Sequence, residues 1–236
     1  MRALSSLIAT FVRIAASRAR IVGFVVVSVV SVLVAWKVGR SPTSTPAQRT
    51  FDLADRGVLS FLAPVAALVF GTAVLGDPSE DGTLVYLWLR PIRRSVTTAG
   101  AVIAALLLSV PAAVIPSVLI EVVVGSGGLP TRAAATTALT VTAYTTVFVL
   151  LGLVTQRSLV WGIAYLLIVE QFIARGGQAL GALSIRSYAA SMRAAAGGVE
   201  SPIVYFGATT SAVMLVAIAV TATALVRWRL DHAEVA

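Results

Sequence analysis

Long apolar runs separated by short polar links dominate this 236-residue chain. About 20 apolar residues at 1.5 Å rise cross a hydrocarbon core of about 30 Å. On that length the runs predict six membrane spans, at 21–39, 58–76, 96–124, 133–154, 158–174 and 203–226. The third is long and contains Pro111 and Pro116, which predicts a kink or break in its outer half. Ahead of the first span, Arg2, Ser6, Thr10, Arg13, Ser17 and Arg20 recur at helical spacing, and Leu4, Leu7, Ile8, Phe11 and Ala15 fall opposite them. Residues 1–20 therefore read as an amphipathic helix lying along a membrane surface. The segment 40–57 is polar and carries Pro42 and Pro46, which predicts a loop. The link 176–202 has glycines flanking a helix-like middle, with Leu180, Leu183, Tyr188 and Met192 on one side, and predicts a short helix dipping into or lying on the interface.

Composition sharpens this reading. Apolar residues make up 58% of the chain and charged ones only 12%, against roughly 25% charged in soluble domains. The expected fold class is an all-α integral membrane protein, one domain over 1–236. The net charge of +8 would raise nucleic acid as a partner, but the basic residues sit at the ends of apolar runs, where they meet lipid headgroups, so no nucleic acid is expected. With the N-terminus inside, the clusters at 13–20 and 90–94 both face the cytoplasm. There are no cysteines, and Lys37 is the only lysine. No Gly-Lys-Ser/Thr triplet exists, so the chain is not itself a P-loop ATPase. His232 is the only histidine and Gly-x-Ser-x-Gly is absent, which leaves no basis for an enzyme or a metal site.

Between the second and third runs lies GDPSEDGTLVYLWLRPIRR, residues 76–94. Asp77 as an N-cap, Pro78 at the first helical position and Glu80 two residues on predict a short helix over 77–90. Thr83, Leu84, Leu87 and Trp88 continue it, and Pro91 stops it at Arg90. Asp77, Glu80 and Asp81 would then sit at its positive end, with Arg90, Arg93 and Arg94 beyond its negative end.

The stretch SEDGTLVYLWLRPIRRSVTTAG resembles the signature of the ABC-2 type transporter permeases, in which Glu, Gly-Thr-Leu and an Arg-Pro-Ile/Val-x-Arg element join the second and third of six spans. The sharp part of the likeness is residues 80–94; span count and the N-terminal helix extend it architecturally. The resemblance implies a cytoplasmic coupling helix that docks on a separate ABC ATPase subunit. Glu80 and Asp81 would meet polar or basic groups there, and Gly82 would allow close backbone approach. Leu84, Leu87 and Trp88 would anchor the helix, and Arg90, Arg93 and Arg94 would hold its end at the headgroups. It implies further a second permease subunit, identical or paralogous, ATP and Mg on the ATPase alone, and a bacterial plasma membrane with both termini cytoplasmic. Where many of these permeases have Gly-Lys, this chain has Gly100 and Ala101.

Glu121 and Glu170 are the ionisable residues placed within spans. Membrane carboxylates are usually functional or paired. Either they pair with Arg132 and Arg175 near the outer surface, or they line the outer mouth of an export path. A secondary, proton-coupled carrier using one of them is the rival reading. Thr136, Thr137, Thr140, Thr142, Thr145 and Thr146 bond back to their own helix or a neighbour, or else form a polar groove. The stripe Thr137, Thr140 and Tyr144 is the candidate lining or dimer surface.

Overall fold

The computed structural model describes residues 2–39, 46–82, 93–124, 130–197 and 203–232, and among these it is all-helical. α1 (Arg2–Ala15) and α2 (Arg18–Gly39) form an elbow. α3 (Pro46–Leu53) runs through a π-helical stretch (Ala54–Leu62) into α4 (Ala63–Glu80). α5 (Arg94–Val124) and α6 (Pro130–Val154) follow. α7 (Ser158–Tyr165) passes into a second π stretch (Leu166–Phe172) and a short turn (Ile173–Arg175). α8 (Gln178–Gly181), α9 (Ile185–Gly197) and α10 (Ala208–His232) complete the chain.

Five of the described helical runs are long and apolar enough to cross a membrane: Phe51–Glu80, Arg94–Val124, Pro130–Val154, Ser158–Arg175 and Ala208–His232. The elbow of Leu4–Ala15 and Arg18–Val34, bent by 72°, makes six if it is counted as one. Valines 22, 25, 26, 29 and 30 on α2 are each more than half exposed, a surface suited to lipid rather than water.

The elbow has a local cause. Ser17 caps α2 by accepting a hydrogen bond from the Arg20 backbone N–H at 3.3 Å. Leu7, Phe11 and Ala15 on α1 are buried in one cluster with Phe70, Ala101, Ala104 and Leu230, so the apolar face packs on protein. At the centre, α4 and α6 approach backbone to backbone at small residues. A Cβ on Gly152 would come within 2.9 Å of the Thr72 carbonyl oxygen, and one on Gly71 within 3.0 Å of Phe148 Cβ. Small residues let apolar helices gain dispersion contact where no hydrophobic drive separates helix from lipid.

Three expectations change. α5 runs as one helix through Pro111 and Pro116, so of the expected kink or break the break is absent. Hydrogen bonds to α6 flank the two prolines, Ser109 to Thr145 at 2.8 Å and Thr137 to Ser117 at 2.9 Å, and hold the helix on both sides of the missing donors. The second run is helical from Phe51, so Asp52, Asp55 and Gly57 belong to it rather than to a loop. The last helix begins at Ala208 and continues to His232.

Candidate functional site

The strip between α4 and α5 is described at its two ends only; Thr83, Leu84, Leu87, Trp88, Arg90 and Pro91 lie outside the described residues. No helix starts at Asp77. α4 continues through Pro78 to Glu80, Asp81 is its C-cap and Gly82 follows with φ +67. The Asp81 N–H donates to the Asp77 carbonyl at 3.0 Å and the Gly82 N–H to that of Ser79 at 3.4 Å. Glycine in the left-handed region just past the last turn is a helix stop. It outweighs the start signal because the preceding apolar run is already helical and needs only to be continued. Asp77 and Glu80 therefore lie at a negative helix end, where a carboxylate is disfavoured. Arg20 offsets this: its Nη2 is 3.0 Å from Asp77 Oδ2, and its Nη1 donates to the Ala15 carbonyl at 3.4 Å. Glu80, Asp81 and Gly82 are exposed.

At the other end of the strip, Arg93 is exposed, and Arg94 reaches across to α10. Its Nη1 donates to the carbonyls of Leu230 and Asp231, the latter at 2.6 Å. These are among the last carbonyls of α10, which have no partner within their own helix.

The second assembly surrounds α9. Glu170, 1% exposed, accepts four hydrogen bonds: Tyr165 Oη at 2.7 Å and Ile185 N at 3.1 Å on Oε1, Ser184 Oγ at 2.6 Å and Arg186 N at 3.1 Å on Oε2. Its carboxyl group thus closes the N-terminus of α9, where orphan N–H groups and the helix dipole favour an acceptor. Arg186 makes a forked contact with Asp55, Nη2 to Oδ2 at 2.7 Å and Nε to Oδ1 at 3.3 Å, and its Nη1 donates to Gln171 Oε1 at 3.2 Å. Two turns along α9, Arg193 donates to Glu121 and, at 3.4 Å, to Ser117 Oγ, which also accepts from Thr137. Burial pulls the Arg193 guanidinium below its ordinary value, and Glu121 and Asp55 pull it back up.

Asp55 and Glu170 each sit in a π-helical stretch. Such wide turns are rare and often found at functional sites. Three carboxyl groups and two guanidinium groups thus clasp α9 to the ends of α3, α5 and α7. No convergent set of three or more potential metal ligands occurs among the described residues. The groups oppose one another as donors and acceptors, an arrangement that holds a helix in place.

The expected partners of the two glutamates are corrected. Glu121 pairs with Arg193 rather than Arg132, and Glu170 is met by hydroxyl and backbone donors rather than Arg175. Both choices follow from α9 folding inward between α6 and α10 instead of lying on the surface; Tyr188 is 2% exposed. Leu180 and Leu183, placed on the same apolar side from sequence, are exposed at 45% and 63%. Thr137, Thr140 and Tyr144 are fully buried and present nothing to an open path or to the protomer's surface. Thr140, Thr142 and Thr146 bond back to their own helix, while Thr137 and Thr145 bond to α5. Among the described residues the buried Tyr144 hydroxyl has no hydrogen-bond partner.

Sequence reasoning missed Asp55, Arg186 and Arg193. The signals were there. Arg186 and Arg193 are seven residues apart, hence on one stripe, and Asp55 shares a helical face with Phe51, Val58 and Leu62.

No family model matches the chain, and no curated protein matches it.

Proposed function

We propose that this chain is the transmembrane permease subunit of an ATP-driven exporter of the ABC-2 type, working with a cytosolic ATPase subunit and a second permease. The observation that carries the reading is the anchoring of the strip at both ends. Asp77 is tied to the α1–α2 elbow, and Arg94 to the end of α10. A push on the strip would be delivered at once to α2, α4, α5 and α10. The resemblance of residues 80–94 supplies the source of that push, a nucleotide-driven ATPase, and the absence of a Gly-Lys-Ser/Thr triplet in this chain agrees with an energy source on another subunit. The cargo class that suits so apolar a bundle is amphiphilic: a drug, a lipid or a similar molecule. Glu170, with four hydrogen bonds, and Glu121, paired with Arg193, are poorly suited to loading and unloading protons, which disfavours the carrier alternative.

The test is reconstitution of the full chain with the ATPase subunit in vesicles. Glu80→Arg is expected to weaken their association and to lower coupled ATP hydrolysis at least about ten-fold, the scale of one lost 1.4 kcal/mol contact. Asp77→Arg is expected to lower coupled hydrolysis with association retained, and Arg20→Asp combined with Asp77→Arg to restore part of it. Unchanged association and turnover in both single variants would remove the coupling assignment. Solute movement driven by a pH gradient in vesicles holding this chain alone would replace it with the carrier.

A further inference from the structure

A groove of about 520 Å³ runs between α5, α6 and α10, walled by Thr98, Val102, Leu106, Thr146 and Val220, with Arg227 at one end. Its sequence suggests a polar channel, since four threonines line it. The hydrogen bonds say otherwise. Thr98, Thr142, Thr146 and Thr223 each donate to a carbonyl of their own helix three or four residues back, at 3.0, 2.7, 3.0 and 2.8 Å. Their protons are committed, so the walls offer a solute little beyond methyl groups and oxygen lone pairs. Apart from the Ser95 hydroxyl near the start of α5, a polar cargo would lose its hydration along these walls and gain no donor in return. A hydrocarbon chain loses nothing.

The charge is all at one end. Arg227 has a side chain 64% exposed, and among the described residues it is held by Asp231 alone, Nε to Oδ2 at 3.7 Å, longer than a hydrogen bond. Arg94 reaches the same end of α10 through the Leu230 and Asp231 carbonyls, but the groove itself is lined by one guanidinium, that of Arg227. From Ser95 to Leu106 the groove follows α5 for eleven residue steps, about 16 Å at 1.5 Å per step. That is close to half of a hydrocarbon core of about 30 Å, the depth of one leaflet.

We propose that this groove binds one anionic glycerolipid from the surrounding leaflet, its acyl chain along α5 and α10 and its phosphate at Arg227. Basic pockets between helices at a membrane's edge hold anionic headgroups in this way. The bound lipid fills the space between α5 and α10 on the side where Arg94 joins them, and so becomes part of the packing that links the strip to the last helix. The inference needs only that these helices cross a bilayer; it stands or falls separately from the exporter reading.

The experiment is native mass spectrometry of the purified full chain in detergent, given equal amounts of phosphatidylglycerol and phosphatidylcholine with the same acyl chains. Preferential retention of one phosphatidylglycerol, by about five-fold or more per contributing arginine, is expected. Arg227→Gln should abolish most of that preference, while Arg229→Gln, the same charge change on another side of α10, should preserve it. Ala99→Trp, which fills the groove from a partly exposed position, should reduce retention of both lipids, with the far-ultraviolet circular dichroism of each variant checked against the parent. Equal retention of the two lipids, or equal losses from Arg227→Gln and Arg229→Gln, would overturn the proposal, the second outcome reducing it to general surface charge.

Discussion

The helical run Phe51–Glu80 carries an ion pair near each end, and the two pairs differ in kind. Asp55 and Arg186 have side chains 9% and 6% exposed and join in a forked contact; Asp77 and Arg20 have side chains 36% and 26% exposed and meet through a single nitrogen. Twenty-two residues separate the two aspartates, about 33 Å along a helix, a little more than a hydrocarbon core. The first pair is fixed by its neighbours: Gln171 holds Arg186, and Glu170 holds the start of the helix that bears it. The second has water within reach and is held chiefly by the charge it offsets. One end of the same helix is therefore built as a clasp and the other as a joint, an arrangement that suits the proposed transmission of motion.

Breaking the clasp gives the largest expected effect. Asp55→Ala leaves Arg186 buried and uncompensated, at a cost of about 3–5 kcal/mol, measured by denaturant unfolding in detergent micelles. The double variant Asp55→Leu with Arg186→Met should cost less than either alanine single, because it removes both charges instead of stranding one. A cost below about 1 kcal/mol for Asp55→Ala would erase the distinction between the two ends.

Glu170→Ala comes next, at about 2–4 kcal/mol, since it strands buried donors on Tyr165, Ser184 and two backbone nitrogens, each costing about 1–3 kcal/mol before relaxation. Hydrogen exchange should show α9 loosening first at Ile185 and Arg186. Between the ends, Gly152→Ala pushes a methyl against the Thr72 backbone and is expected to cost about 1–3 kcal/mol; thermal unfolding of the purified chain would read it. The joint is the least sensitive to substitution. Asp77→Asn should lower stability by less than about 1 kcal/mol, as half-exposed ion pairs do; under the proposed function its larger effect is expected on coupled ATP hydrolysis. A loss of several kcal/mol would make this end a second clasp.

Much of the fold was legible because lipid imposes a simple rule: an apolar stretch long enough to cross the core must satisfy its own backbone, and a helix does so. Long helices occupy the apolar runs, with ends that differ by up to seven residues, Phe51 against 58 in the second and His232 against 226 in the last. The boundary errors came from local signals in competition. Asp77-Pro78-Glu80 reads as a start, but Gly82 four residues after Pro78 reads as a stop, and the direction depends on which side already holds a helix. The site was less legible. Glu121 and Glu170 stood out as charges inside apolar runs, yet apart from Tyr165 their partners come from 14 to 72 residues away, and sequence proximity favoured Arg132 and Arg175 instead.

By itself, then, the sequence determined that this chain is helical and apolar, that its charges gather at helix ends, and that it holds neither a nucleotide loop nor a thiol. Those properties follow from composition and from the 3.6-residue period, which act over a few turns of chain. Only the tertiary structure decided that α9 folds inward, that Arg186 and Arg193 meet Asp55 and Glu121, that the threonine stripe is core, and that the strip is tied to the elbow and to α10. Such pairings are set by which helix surfaces pack together, and desolvation makes each buried charge dependent on a partner that the linear order does not specify.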